Sequence, residues 1–399
     1  MGKDKTMKRE VNYYEKYDKK ESLHFDSKVV HGGLGCDPIT GAVGFPIFQT
    51  ATFRHREFGV STGYDYSRLQ NPTRQELERT IAILEEGTEG FAFTSGQAAN
   101  MSVFGMLKPG EHVILSDDIY GGTYRIGADI FSGLGCEFTY VDLADLDAIR
   151  KALRPSTRMI FMETPTNPMM KVADIRAVSA IAKEHGLVFV VDNTFLTPYF
   201  QRPLTLGADI VVHSGTKYLC GHNDVICGIV VVKSQEHADH FRLQLKSRGS
   251  GLAPFDSYLM IRGIKTLSLR MRQHNENAYK VAHWLRKHPK VKKVYYAGFE
   301  DHPGYAISKS QCTGFGGMVS FELDSPETAI QLLDRVNMIL FAESLGGTET
   351  LITYPLTQTH ESIPADIRDK LGINASFIRI SIGIENVDDI IADLEQALA

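Results

Sequence analysis

The chain has 399 residues, enough for two domains around a large core, and its 43% hydrophobic and 23% charged residues are the ordinary balance of a folded globular protein. A net charge of −5 and the lack of any long basic run argue against a nucleic-acid partner. No apolar run is long enough to cross a bilayer and the start is polar, so neither a membrane span nor a secretory leader is expected.

Residues 1–24 mix Lys and Glu with Tyr13, Tyr14 and Tyr17 and show no apolar period; they read as an extended or partly helical arm. Residues 25–68 are punctuated by Gly32-Gly33, Pro38 and Pro46 and read as irregular. A structureless stretch of that length packs on something else or serves function. Leu77, Ile81 and Leu84 then fall at helical spacing, predicting a helix over 73–85 with Thr73 as its cap. Phe91-Ala92-Phe93 reads as a strand, followed by a helix from Gly96 to Leu107. Further short apolar runs follow at 113–115, 159–162, 188–191, 210–212 and 229–232, with a helix over 173–185. Continuous apolar strands alternating with amphipathic helices predict an α/β fold, a mainly parallel sheet covered on both faces.

Near residue 263 the pattern changes. One long helix is expected from Tyr258 to Leu285, then shorter strands at 318–322 and 377–381 and helices at 325–336 and 387–398. This half reads as a smaller α+β domain. The expected division is an arm over 1–68, a large domain over 69–262 and a C-terminal domain over 263–399.

Five cysteines at scattered positions form no Cys-x-x-Cys pair, which suits reduced thiols and a cytoplasmic setting. Cys220, His222, Asp224 and Cys227 match no zinc spacing, so no metal is expected there. His213, His222 and His360 read as structural.

The chemistry centres on Asp209-Ile210-Val211-Val212-His213-Ser214-Gly215-Thr216-Lys217-Tyr218, an apolar strand ending in a turn with two hydroxyls and a lysine. A lysine just past a buried strand is partly desolvated; its amine pKa falls and it becomes a candidate Schiff-base nucleophile. Ser214 and Thr216 are close enough in sequence to hold an anion beside it. Upstream, Val188–Val191 ends in Asp192. A strand-end aspartate and a later strand-end lysine are what a pyridoxal phosphate site needs: the Asp keeps the pyridine nitrogen protonated and the Lys forms the covalent link. A solvated aspartate and a surface lysine would be the plain alternative for either residue alone.

Several further strings occur in order from about residue 28 onward. Tyr66-Ser67-Arg68 with Asn71-Pro72-Thr73, Glu163-Thr164-Pro165-Thr166-Asn167-Pro168, Val191-Asp192-Asn193-Thr194-Phe195, Ser214-Gly215-Thr216-Lys217-Tyr218 and Ser344-Leu345-Gly346-Gly347 together resemble the trans-sulfuration family of fold-type I pyridoxal phosphate enzymes, the cystathionine γ-synthases, cystathionine lyases and methionine γ-lyases. The resemblance implies a seven-stranded, mainly parallel sheet, a covalent imine of pyridoxal 5'-phosphate to Lys217, and a homotetramer built as a dimer of dimers. It places the cofactor phosphate on the backbone amides of Gly96 and Gln97, with Ser214 and Thr216. Many relatives carry Met where this chain has Gln97, so only the amide role carries over. By the same resemblance Tyr120 stacks on the cofactor ring and helps move protons, and Asn167 lies near the ring oxygen and the substrate carboxylate. Arg379 binds that carboxylate, with Ser344 lining the same pocket, and Tyr66 and Arg68 reach the neighbouring subunit's site, Arg68 as a second cation for the phosphate.

The activity implied is a carbon–sulfur lyase of cysteine and methionine metabolism acting on cystathionine by α,β- or α,γ-elimination, with the β-lyase slightly ahead. The alternatives are methionine γ-lyase and a γ-replacement synthase joining a thiol to an O-acylhomoserine. Methionine γ-lyases tend to have Cys where this chain has Gly122, and animal-type cystathionine γ-lyases tend to have Glu at the position aligned with Thr353.

Overall fold

The computed structural model describes residues 22–358 and 364–399; residues 1–21, the first part of the expected arm, and His360 lie outside them. A seven-stranded sheet holds β1 (Glu89–Phe93), β2 (His112–Ser116), β3 (Glu137–Val141), β4 (Thr157–Glu163), β5 (Val188–Asp192), β6 (Ile210–Ser214) and β7 (Gly228–Val232), in the order β1-β7-β6-β5-β4-β2-β3. From β6 to β3 all neighbours are parallel, and β7 alone runs antiparallel to both of its neighbours. The expected mainly parallel sheet is therefore present.

Side chains alternate across a strand, so one apolar run serves two faces. Ile114, Ile160, Phe189, Val191 and Val211 join one buried cluster, while Val113, Phe161, Val190, Ile210 and Val212 join a second on the other side. Burial on both faces is why these strands read as unbroken apolar stretches. The β3 edge strand is only half buried and lacks that signature, so the sequence pattern did not reveal it.

The C-terminal part forms a second sheet from β8 (Val291–Tyr295), β9 (Met318–Leu323), β10 (Leu340–Phe341), β11 (Leu351–Thr353) and β12 (Phe377–Ser381), ordered β10-β11-β12-β9-β8. It is antiparallel except for the β10–β11 pair. Helices Pro326–Arg335 and Val387–Leu398 pack beside it, as the sequence predicts.

Three local expectations fail. The helix expected over 73–85 with Thr73 as its cap begins at Pro72 and is capped by Asn71, whose Oδ1 accepts from Thr73 N at 3.0 Å. The single helix over 258–285 is two, Pro254–Ile264 and Leu267–Leu285. Gly263 lies so close to the backbone of Cys220 that a Cβ would come within 2.3 Å of its carbonyl oxygen. The Gly263 carbonyl accepts from Thr266 N at 3.2 Å and from Arg270 Nη2 at 2.8 Å, which closes a tight turn in place of the next helical bond. Residues 25–68, expected to be irregular throughout, open with a helix over Phe25–His31 that buries Val29. Beyond it the segment has only isolated bridges, and Ile39, Val43 and Phe58 are exposed.

One buried contact ties helix Pro72–Glu85 to the sheet's functional edge. The fully buried Glu85 Oε1 accepts from His213 Nε2 at 2.7 Å and from Asn193 Nδ2 at 3.0 Å, at the ends of β6 and β5. Glu85→Ala strands both partners and leaves a void, and should cost on the order of 3 kcal/mol. The check is the urea midpoint of unfolding; an unmoved midpoint would show that the contact does not hold these elements together.

Candidate active site

Strands β4, β5 and β6 finish at the same edge of the sheet, β6 two residues beyond the other two, and each ends in a polar side chain: Glu163, Asp192 and Ser214. In an open parallel sheet the crevice beyond the carboxyl ends is where ligands bind. A cavity of about 260 Å³ opens there. The turn after β6 is pinned to the approach to β7: Thr216 Oγ1 accepts from Cys227 N at 3.0 Å and donates to Cys227 O at 3.2 Å. This fixes the backbone that carries Lys217 into the cavity.

Lys217 Nζ donates to Ser344 Oγ at 2.7 Å. Burial, and secondarily the charge of Arg379, pull its amine down from 10.5 to about 8. Arg379, on β12, is 1% exposed. Its Nη1 donates to Asn167 Oδ1 at 3.1 Å, and its Nη2 donates to Ser344 O and Thr353 Oγ1, each at 2.9 Å. These are neutral acceptors; among the described residues no carboxylate lies within ion-pair distance, and Arg379 Nε has no partner. Burial pushes Arg379 down to about 10, so it stays a cation at neutral pH. A buried cation that faces a cavity and has no ion-paired carboxylate has the chemistry to take one from a ligand. Ser344, between the lysine and the arginine, has φ +103°, a costly conformation for a residue with a Cβ.

A second region of the cavity has the donors that suit an anion. Helix Gly96–Phe104 begins at its wall, and Ser95 Oγ takes the amide of Ala98 at 3.0 Å. The amides of Gly96 and Gln97 have no acceptor in their own helix and lie at the positive end of its dipole. Ser214 lies beside them: a Cβ on Gly96 would come 3.2 Å from that of Ser214. Gly228, the first residue of β7, lies so close beneath that its own Cβ would come within 2.0 Å of Ser95 O. Only glycine lets β7 pass under this turn.

At the strand ends, Asp192 Oδ1 accepts from Thr194 N at 3.0 Å and Thr194 Oγ1 at 2.5 Å, while burial raises its carboxyl. Tyr120 lines the cavity, its N–H donating to Glu163 Oε2 at 3.0 Å. Among the cavity residues given no role in the sequence reading are Asn100, Ile226 and Glu343, which it did not name, and Glu163 and Thr194, which it quoted only within motif strings. Glu163 carries the signal that singled out Asp192, a carboxylate ending an apolar strand. Glu343 carried none beyond standing next to Ser344.

Of the residues singled out from the sequence, the cavity gathers Gly96, Gln97, Tyr120, Asn167 and Asp192 from the large sheet's edge, and Ser214, Thr216, Lys217, Ser344 and Arg379 with them. Tyr66 and Arg68 lie outside it: Arg68 stacks 5.5 Å over the Tyr66 ring and its Nη1 donates to Lys246 O. Thr353 is not among the residues that line the cavity; its hydroxyl accepts from Arg379 Nη2 behind the cavity wall. Above Gly122 the space is filled by the Gln97 amide, 1.8 Å from where a Cβ would stand. Cys220 Sγ donates to Asp224 Oδ1 at 3.3 Å, and His222 Nδ1 bonds to Cys220 O at 2.7 Å.

Residues 26–399 match the family model described as Cys/Met metabolism PLP-dependent enzyme. The chain belongs to this family. It is 48% identical over 370 residues to the cystathionine gamma-lyase of Bacillus subtilis, covering 93% of this chain and 98% of that one. It is 48% identical over 379 residues to the cystathionine beta-lyase of Coxiella burnetii, covering 94% and 98%. Among solved structures, cystathionine gamma-lyase from Lactobacillus plantarum complexed with L-serine superposes with a TM-score of 0.92 at 45% identity, covering 94% of this chain and 98% of that one.

The donor set of this Cys/Met metabolism enzyme fits pyridoxal phosphate: open helix-start amides for a phosphate, a buried carboxyl whose Oδ2 has no protein donor among the described residues, and a desolvated lysine between them. The lowered amine has a direct consequence. With a pKa near 8, about half of Lys217 is free base at pH 8, against well under about 1% for an ordinary lysine. Reductive methylation of the cofactor-free chain should therefore modify Lys217 with a midpoint near pH 8, well below that of a free lysine side chain in a model peptide. Peptide mapping reads this, and a Lys217 profile matching the model peptide would show that the amine is not desolvated.

Proposed function

We propose that this chain is a pyridoxal phosphate-dependent carbon–sulfur lyase acting on cystathionine or a closely related sulfur amino acid by α,β- or α,γ-elimination. The observation that carries this reading is Arg379, a buried cation beside the Lys217 amine with no carboxylate of its own. An amino-acid carboxylate supplies that partner in two-pronged fashion, with Asn167 and Ser344 framing it. Lys217 would attach the cofactor, the Gly96 and Gln97 amides with the Ser214 and Thr216 hydroxyls would hold its phosphate, Asp192 would hold its ring nitrogen, and Tyr120 would cover its ring. When bound, the cofactor withdraws the electron pair left at Cα. Lys217, displaced by the substrate amine, takes the Cα proton, and its lowered pKa suits it to a base near neutral pH. Removal of that proton alone lets a thiol leave from Cβ; a second proton taken from Cβ lets it leave from Cγ. Glu343 lines the cavity beside Ser344 and suits the ammonium at the far end of cystathionine.

Incubating the holoenzyme with cystathionine and identifying the products tests this. Homocysteine with pyruvate and ammonia marks β-cleavage, and cysteine with 2-oxobutyrate and ammonia marks γ-cleavage. Inertness toward cystathionine, with turnover of an O-acylhomoserine and a thiol, would replace the lyase by a γ-replacement synthase.

The working unit proposed is a homotetramer, a dimer of dimers, in the cytoplasm. The five cysteines are all free thiols, which suits a reducing compartment. The segment carrying Tyr66 and Arg68 exposes Ile39, Val43 and Phe58, as a surface covered by a second copy would. Tyr66 and Arg68 then complete the neighbour's phosphate site. Arg68→Ala and Lys217→Ala are in that case defects in different halves of one site, and mixed dimers regain one intact site. Subunit exchange of equal amounts should restore about a quarter of wild-type activity, since about half the dimers are mixed. If mass labelling confirms exchange and no activity returns, Arg68 acts within its own chain.

A further inference from the structure

Glu163 and Asp192 are register partners at the ends of β4 and β5. Neighbouring strands lie about 4.8 Å apart and register partners point to the same face, so the two carboxyl groups share one wall of the cavity. Two carboxyls this close, Glu163 buried and Asp192 half-buried at the cavity wall, do not ionise together; the pair keeps one proton.

The donors around each group decide where that proton sits. Asp192 accepts two hydrogen bonds from Thr194, and both these and the nearby His213 favour its ionised form. Glu163 accepts from the N–H groups of Tyr120 and Asn167, and faces the negative charge of both Asp192 and Asp118. Burial and the Asp192 charge push the Glu163 carboxyl well above the carboxylate range. Asp118, past β2, is itself raised to about 6 by burial. Arg379 on β12 and Lys217 past β6 are the cations of the same cavity.

We propose that Glu163 is a positioning residue: its neutral carboxyl holds Tyr120 at the cavity through the backbone N–H and leaves the pair's single negative charge on Asp192. The cofactor's ring nitrogen then meets an ionised partner. A proton on Asp192 would remove that partner, and two charges would repel each other across the wall. The inference rests on the role proposed above for Asp192, and not on which sulfur amino acid is cleaved.

The test uses holoenzyme without substrate. The infrared difference spectrum between wild type and E163Q at neutral pH should show a carboxylic-acid C=O band, sensitive to D2O, present in wild type and absent in the variant. Loss of an ionised-carboxylate band in its place overturns the proposal. Steady-state kinetics give a second reading. E163A should lower kcat by about tenfold or more with KM and cofactor content little changed, because Tyr120 loses its acceptor. E163Q, which keeps an acceptor for that N–H, should recover kcat to within about threefold of wild type. If E163Q is as impaired as E163A, Glu163 does not act by holding Tyr120. Should E163A fail to fold, the infrared comparison decides alone. It contains no substrate, so its failure is separate from any failure of the product analysis.

Discussion

The register of β4, β5 and β6 is the constraint on which the site depends. β4 and β5 end at one level, so Glu163 and Asp192 arrive side by side, and β6 runs two residues past Val212, the partner of Asp192, to bring Ser214 to the same edge. Both faces of the sheet are filled by apolar side chains, which leaves the carboxyl edge as the place where polar groups can gather around a space. A one-residue slip in any of these strands would turn its terminal polar group into the core and an apolar one into the cavity.

The cavity's electrostatics follow from burial acting on charges of both signs. Desolvation lowers the lysine and raises the carboxyls, bringing both toward neutrality. Arg379 moves in the same direction, yet a guanidinium starts so high that it remains charged at neutral pH. The result is a site with one fixed cation, one titratable amine and a carboxyl pair. An arginine suits the fixed position because it keeps its charge where a lysine would lose it, and because neutral acceptors can hold its planar fork in place.

The site is assembled across the two sheets. The large sheet supplies Asp192, Lys217 and the helix-start amides; the smaller one supplies Arg379 from β12, and the loop between β10 and β11 supplies Ser344. Their meeting point is held by the Lys217–Ser344 and Arg379–Ser344 hydrogen bonds, at a serine whose backbone is strained. Farther back, Glu85 braces the ends of β5 and β6 through Asn193 and His213. That makes helix Pro72–Glu85 part of the support behind the functional edge as well as part of the core.

Local chemistry was enough to place much of this. Unbroken apolar runs announce a sheet buried on both faces, and a lysine or aspartate ending such a run announces desolvation, because both follow from a few consecutive residues. The motif strings carried the family, its cofactor and the residues of the cavity that stand within them. What the sequence could not supply were relations between distant segments. Glu163 has the same strand-end signal as Asp192, but only the β4–β5 register makes the two a pair. Glu343 belongs to the cavity and Thr353 does not, because a loop and a strand of the second sheet fold against the first. The break after Ile264 answers to the backbone of Cys220, far away in the chain, and the half-buried β3 takes its place from pairing with β2 rather than from its own pattern. Composition and spacing determined which side chains could do chemistry; burial and register, which are properties of the packed chain, decided which of them carry a charge and what each one faces.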